Sequence, residues 1–153
     1  MRSERDRTLS VVIAAVAVAV LWLGLAYQLA RPTQPSAYLR TVLQVAESAH
    51  DATRTGQLVG QQELAGNVTV PFATTAFDEA AGALAGAQKK FASQGPPDSA
   101  SADLRDQLSP LLARSVIALG DTAEAADDRE LRAGVARLTQ LAGKLDDFIT
   151  AHQ

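Results

Sequence analysis

LRAGVARLTQLAGKLDDFI, residues 131–149, is apolar at Leu131, Val135, Leu138, Ala142, Leu145 and Ile149, with Leu141 and Phe148 alongside. The intervals alternate four and three, which is the signature of one face of a helix. Arg132, Arg137, Lys144, Asp146 and Asp147 fall on the other side. A helix this amphipathic buries its stripe only against other apolar faces, so the fold depends on what the rest of the chain offers.

Working backwards, the stripe breaks at Asp127-Asp128-Arg129-Glu130. Extending it further would put Asp128 and Glu124 in the core, so the turn belongs near Asp127-Asp128 rather than at Gly120-Asp121. The helix before it carries Leu104, Leu108, Leu111, Ser115, Ala118 and Thr122, with Leu112, Val116 and Leu119 alongside, and Ser99 or Ser101 as cap. Pro110 falls inside this span and either kinks the helix or marks where its firm part begins. GPPDSAS, residues 95–101, is the clearest loop in the chain.

Two more helices precede that loop. One starts at Pro71, a favoured first-turn position, with the stripe Ala73, Phe77, Ala80, Leu84, Ala87 and Phe91. The other runs from about Ala37 to Ala65, capped by Ser36, with the stripe Tyr38, Val42, Val45, Ala49, Ala52, Gly56 and Val59. Gly66-Asn67 stops it, and Gly56 and Gly60 are expected to weaken its distal half. Four helices with short connections and no alternating strand predict an all-α chain with an antiparallel up-down four-helix bundle over residues 37–153. The first two helices contribute mostly alanine, glycine and valine and the last two leucine. This leaves an Ala/Gly-rich surface on the first pair as a candidate docking face.

The N-terminal part is of another kind. LSVVIAAVAVAVLWLGLAYQLA, residues 9–30, holds no charged side chain. At the helical rise it spans roughly 33 Å, about the thickness of a bilayer's hydrocarbon core. Arg2, Arg5 and Arg7 outnumber the basic groups just after it, which favours an N-terminus inside the cell. The run is longer than a signal-peptide apolar region, and its best small-x-small site, Gly24-Leu25-Ala26, lies inside it, so an uncleaved anchor is favoured over a cleaved signal. The expected organisation is a short cytoplasmic tail over 1–8, a transmembrane signal anchor over 9–30, a Pro-containing linker over 31–36 and an extracytoplasmic bundle over 37–153. The abundant alanine and the preference for arginine over lysine are what a GC-rich bacterial genome produces. In such a host the sequon Asn67-Val68-Thr69 carries no meaning.

With 14 basic and 17 acidic residues, net −3, the chain lacks the basic footprint of a nucleic-acid binder. There is no cysteine for a disulfide, a lipid anchor or a thiol nucleophile. Glu47-x-x-His50 has metal-ligand spacing on a helix, yet the only other histidine is His152 at the C-terminus, so a solvated charged face explains it better. Asp78-Glu79, Asp127-Asp128 and Asp146-Asp147 lack the spacing of a calcium loop. Gly82-x-x-x-Gly86 lies within a helix and reads as a contact with a neighbouring helix, as does Ala15-x-x-x-Ala19 within the apolar run.

No catalytic, cofactor-binding or metal-binding residue is therefore assigned, and no cofactor is expected. The sequence reads as a non-enzymatic, single-pass protein of the bacterial cell membrane. Its bundle would serve as an interaction or accessory module for another membrane or cell-envelope protein. Its other partner is the lipid bilayer, nucleic acid is excluded, and a homo-oligomer is compatible with the pattern. The alternative is a bundle that senses a small ligand. An exported four-helix bundle behind a first transmembrane helix resembles bacterial chemoreceptor sensor domains in layout, although no motif carries the likeness. No output module follows up to Gln153, so such a sensor would signal through a partner.

Overall fold

The computed structural model describes residues 34–153. The tail and anchor expected over 1–30 lie outside the described residues. No helix within the described residues is long and apolar enough to cross a membrane. The chain from Gln34 onward is all-α, with α1 at Pro35–Leu64, α2 at Val70–Ala92, α3 at Ser99–Ala123 and α4 at Asp128–His152.

Local chemistry sets each boundary. α1 begins with Pro35 in its first turn after Gln34, and no side chain caps it. Ser36 is thus not the cap the sequence suggests, because Pro35, with its φ already fixed for a first turn, starts the helix one residue earlier and leaves Ser36 inside it. α1 ends before Gly66, whose φ of 69° is the left-handed conformation that closes a helix and that glycine adopts without strain. Asp98, rather than Ser99 or Ser101, caps α3, accepting a 2.8 Å hydrogen bond from the Ser101 amide. Hydrogen bonding from Ser101, first from its side chain and then from this amide, holds the Asp98 carboxyl below its usual pKa. Asp127 caps α4 by accepting from the Glu130 amide at 2.8 Å, while the Glu130 carboxylate accepts from the Ala126 amide at 3.0 Å. This reciprocal pairing satisfies two otherwise orphaned donors and fixes the turn where the stripe's phase places it. α3 runs unbroken through Pro110.

The helices pack as an antiparallel bundle. Gly60 of α1 faces Phe77 of α2 and Val135 of α4. Near the other end of α1, Lys90 of α2 donates to the Gln44 side chain at 2.6 Å. α1 and α3 approach along the short diagonal, and no Cα of α2 comes within 8 Å of one of α4. The small residues of α1 explain that asymmetry. A methyl group added to Gly56 would collide with Leu119 of α3, and one added to Gly60 would lie 2.6 Å from Val135 Cγ2. Both glycines sit inside a continuous helix as buried contact points, not as weak places.

Every stripe residue read from α1, α2 and α4 is buried. α3 differs. Leu108, Leu112, Ser115, Ala118, Leu119 and Thr122 are buried, Leu104 and Leu111 only partly, and Val116 stands outside the core at 39% exposure. Thr53 and Thr122 satisfy their buried hydroxyls by donating to the carbonyls of Ala49 and Ala118, at 2.7 and 2.6 Å.

Tyr38 is fully buried and its Oη has no hydrogen-bond partner. Burial raises the phenol's pKa, and Arg105 opposes the rise. The unfolded phenol ionises near pH ~10, so the stability tied to its neutral form is complete below that value. It is lost as pH climbs from there through the folded pKa. Tyr38→Phe removes the orphaned hydroxyl and keeps the ring. It is expected to leave stability at neutral pH unchanged or raised by up to about 1 kcal/mol. It should also flatten the alkaline decline. Melting curves of the full-length chain in detergent at neutral and strongly alkaline pH test this, and a lower neutral-pH melting temperature would count against it.

Candidate functional site

The residues that carry chemistry in the sequence do not converge. Glu47 is exposed on α1. His50, one turn on, is half-buried, with Nδ1 3.5 Å from Asp51 Oδ1. Among the described residues no three His, Cys, Asp or Glu side chains gather as metal ligands would. Asp78 and Glu79 are exposed and lie in the third turn of α2, too far along to benefit from its N-terminus. Asp127 and Asp128 are spent on starting α4. Asp146 and Asp147 are exposed on α4.

Asp146 does take part in a cleft of about 480 Å³ between α1 and α4. His50, Asp51, Arg54 and Thr55 form its α1 wall, with Leu58 at one end, and Ala142 and Gly143 give it a low α4 wall beside Asp146. The small residues create the space: Gly143 has nothing within 4 Å of where a Cβ would be. Arg54 and Asp146 make no ion pair among the described residues. Charges of both signs line the cleft, so it offers polar recognition without an evident nucleophile–base pair.

The expectation of an Ala/Gly docking face on the first two helices divides. On α1 the small residues Ala46, Ala49, Ala52, Gly56 and Gly60 are buried inside the bundle. On α2, Gly82 and Gly86 have no atom within 4 Å of a would-be Cβ. They are therefore not the interhelical contact their spacing suggests, because the α2 stripe that meets α1 and α3 runs through Ala80, Leu84 and Ala87 instead.

The large exposed apolar side chains are elsewhere. Leu58, Val70 and Phe72 cluster in sequence around the α1–α2 turn, and Val116 and Ile117 lie on α3. Sequence reasoning missed the α3 pair because it assigned Val116 to the core and left Ile117 unremarked. The available signal was that α3 has more apolar positions than one face can hold. Beside Ile117, a groove of about 190 Å³ runs between α3 and α4, with Ile117 and Leu141 as apolar lining and Arg114, Arg137, Gln140 and Lys144 around them. Arg137 is paired with Asp121 of α3 at 2.8 Å. Arg114 and Lys144 pair with no carboxylate among the described residues.

Comparison with protein-family models, with curated proteins and with solved structures gives no match for this chain.

Proposed function

We propose that this chain is a non-enzymatic interaction module, held at the outer face of a bacterial cell membrane by residues 9–30. On this reading it acts by packing a helix face against another membrane or cell-envelope protein. The observation that carries it is the second apolar face of α3, where Val116 and Ile117 are 39% and 61% exposed although the bundle already has a complete core. Adjacent large apolar side chains left in water on a rigid helix give a partner a contiguous patch to cover, which a lone exposed residue does not. The anchor fits this role, since confinement to one surface raises the effective concentration of a weakly binding neighbour.

Crosslinking of the full-length chain in its own membranes tests the proposal. One reproducible heterologous neighbour is expected. A chain that remains monomeric without neighbours under conditions that crosslink other membrane proteins would overturn it. The α1–α4 cleft favours a second reading, small-ligand sensing relayed through a partner. A melting temperature that rises with an added small solute and is blunted by Arg54→Ala would move the assignment there.

A further inference from the structure

α3 is apolar on two sides. Leu108, Leu112, Ser115, Leu119 and Thr122 face inward. Pro110, Ala113, Val116, Ile117 and Gly120 recur at the same helical intervals on the outside and are all exposed. A solvent-facing side needs no such stripe. Beside it lies the α3–α4 groove, where Arg114, Arg137 and Lys144 converge around Ile117 and Leu141 in a chain whose net charge is −3.

Resting on the interaction reading above, we propose that this groove and the outer face of α3 receive an acidic amphipathic helix of a partner protein. One apolar side chain of that helix would sit on Ile117 and Leu141. Carboxylates one turn away on either side would meet Arg114 and Lys144. Each part follows from the side chains present. A helix entering a groove is read through anchors at i, i+3, i+4 and i+7. The aliphatic stems of arginine and lysine widen an apolar floor while their heads stay at its rim. Guanidinium forks take carboxylates in paired hydrogen bonds, which adds register to affinity. Arg137 already holds Asp121, so it serves as a braced wall of the groove and leaves the two unpaired cations to the partner.

A second copy of this chain fits less well. A twofold pair along this face would set one basic groove against the other, bringing Arg114 and Lys144 of both copies together with no carboxylate in the lining to offset them. Three clustered cations are also too few to hold nucleic acid against an acidic surface.

The test replaces Ile117 with the photocrosslinker benzoylphenylalanine in the full-length chain, in membranes of its source cell, with the adduct mapped by mass spectrometry. The expected adduct is a heterologous segment with apolar residues at helical spacing flanked by Asp or Glu. Arg114→Glu/Lys144→Glu should reduce it at least about tenfold, since each lost charge-assisted contact is worth roughly that factor. Arg114→Gln/Lys144→Gln should reduce it in the same direction, and Arg40→Glu/Arg129→Glu should leave it intact. Melting temperatures of all three double variants are expected to match the parent, because the altered side chains are exposed or only rim the groove. An adduct to a second copy, to lipid, or to a segment without carboxylates overturns the proposal, as does an adduct indifferent to both Arg114/Lys144 variants. Absence of any adduct at Ile117 also overturns it. If the same probe at Phe72 or Ala81 then captures a neighbour, the interaction reading survives and only this groove is excluded; if no position does, both fall.

Discussion

Leu138→Ala is expected to lower the unfolding free energy by about 2–5 kcal/mol, towards the upper end of that range. Leu138 is fully buried on α4, and its Cδ1 lies 3.4 Å from the position a Cβ on Gly56 would take. The size of the effect follows from what surrounds the void. The cost of a truncation depends on how far neighbours move in to refill the space. Opposite Leu138, α1 offers Gly56, which has no side chain to swing across, and the other neighbour there, Leu119, is already seated against the Gly56 backbone. The cavity therefore stays open. Leu58→Ala is the matched control: the same atoms leave, but the side chain is 50% exposed, and the loss should be well under about 1 kcal/mol. Chemical denaturation of the full-length chain in detergent measures both. Equal losses for the two leucines would mean that Leu138 does not occupy a closed core. Ile117→Ala belongs with Leu58→Ala on the stability axis, which lets the docking face be altered without unfolding its support.

Much of the fold was legible because three of the four helices have one apolar face each. In α2 the spacing of Ala73, Phe77, Ala80, Leu84, Ala87 and Phe91 leaves no choice of face, and those six are its buried residues. The α3–α4 turn was legible for a related reason, since charge excluded Glu124 and Asp128 from the core. α3 resisted the same treatment. Its inward stripe was legible through Leu108, Ser115, Ala118 and Thr122, but the edge of that stripe was not, because apolar residues continue round the helix beyond Leu112 and Leu119. Val116 was accordingly placed inside when it lies outside. The glycines failed in another way. Propensity alone marks Gly56 and Gly60 as weak points. Their role as places where side chains of α3 and α4 touch the α1 backbone depends on neighbours more than 60 residues away in the sequence. The α3–α4 groove was hidden for both reasons, since it needs the correct face of α3 and the pairing of Arg114 and Ile117 with Leu141 and Lys144 of α4.

Gly134→Ala is expected to destabilise the bundle by about 1–3 kcal/mol, although alanine is the better helix former by about 1 kcal/mol. Gly134 is buried on α4 with normal helical backbone, so only space decides the outcome. An added methyl would lie 2.9 Å from Thr122 Cβ and 3.0 Å from Thr122 Cγ2, with Oγ1 nearer still. At Gly56 the colliding atom is the end of a flexible leucine, which has other rotamers. At Gly134 it is the base of a β-branched side chain, whose Oγ1 is also tied to the Ala118 carbonyl at 2.6 Å. Relief would thus require α3 and α4 to separate along the seam that also carries the Arg137–Asp121 pair. Removing the obstacle should reverse the sign. In a Thr122→Gly background the Oγ1, Cγ2 and Cβ that crowd residue 134 are all gone, the propensity gain of Gly134→Ala remains, and the second substitution should stabilise by up to about 1 kcal/mol. A double-mutant cycle by denaturant unfolding reads the coupling directly. Gly134→Ala having the same effect in both backgrounds would mean that the helices do not meet at Thr122 and Gly134. The same cycle bears on the groove one turn further along, because Arg137 keeps its position only while α3 and α4 stay at this distance.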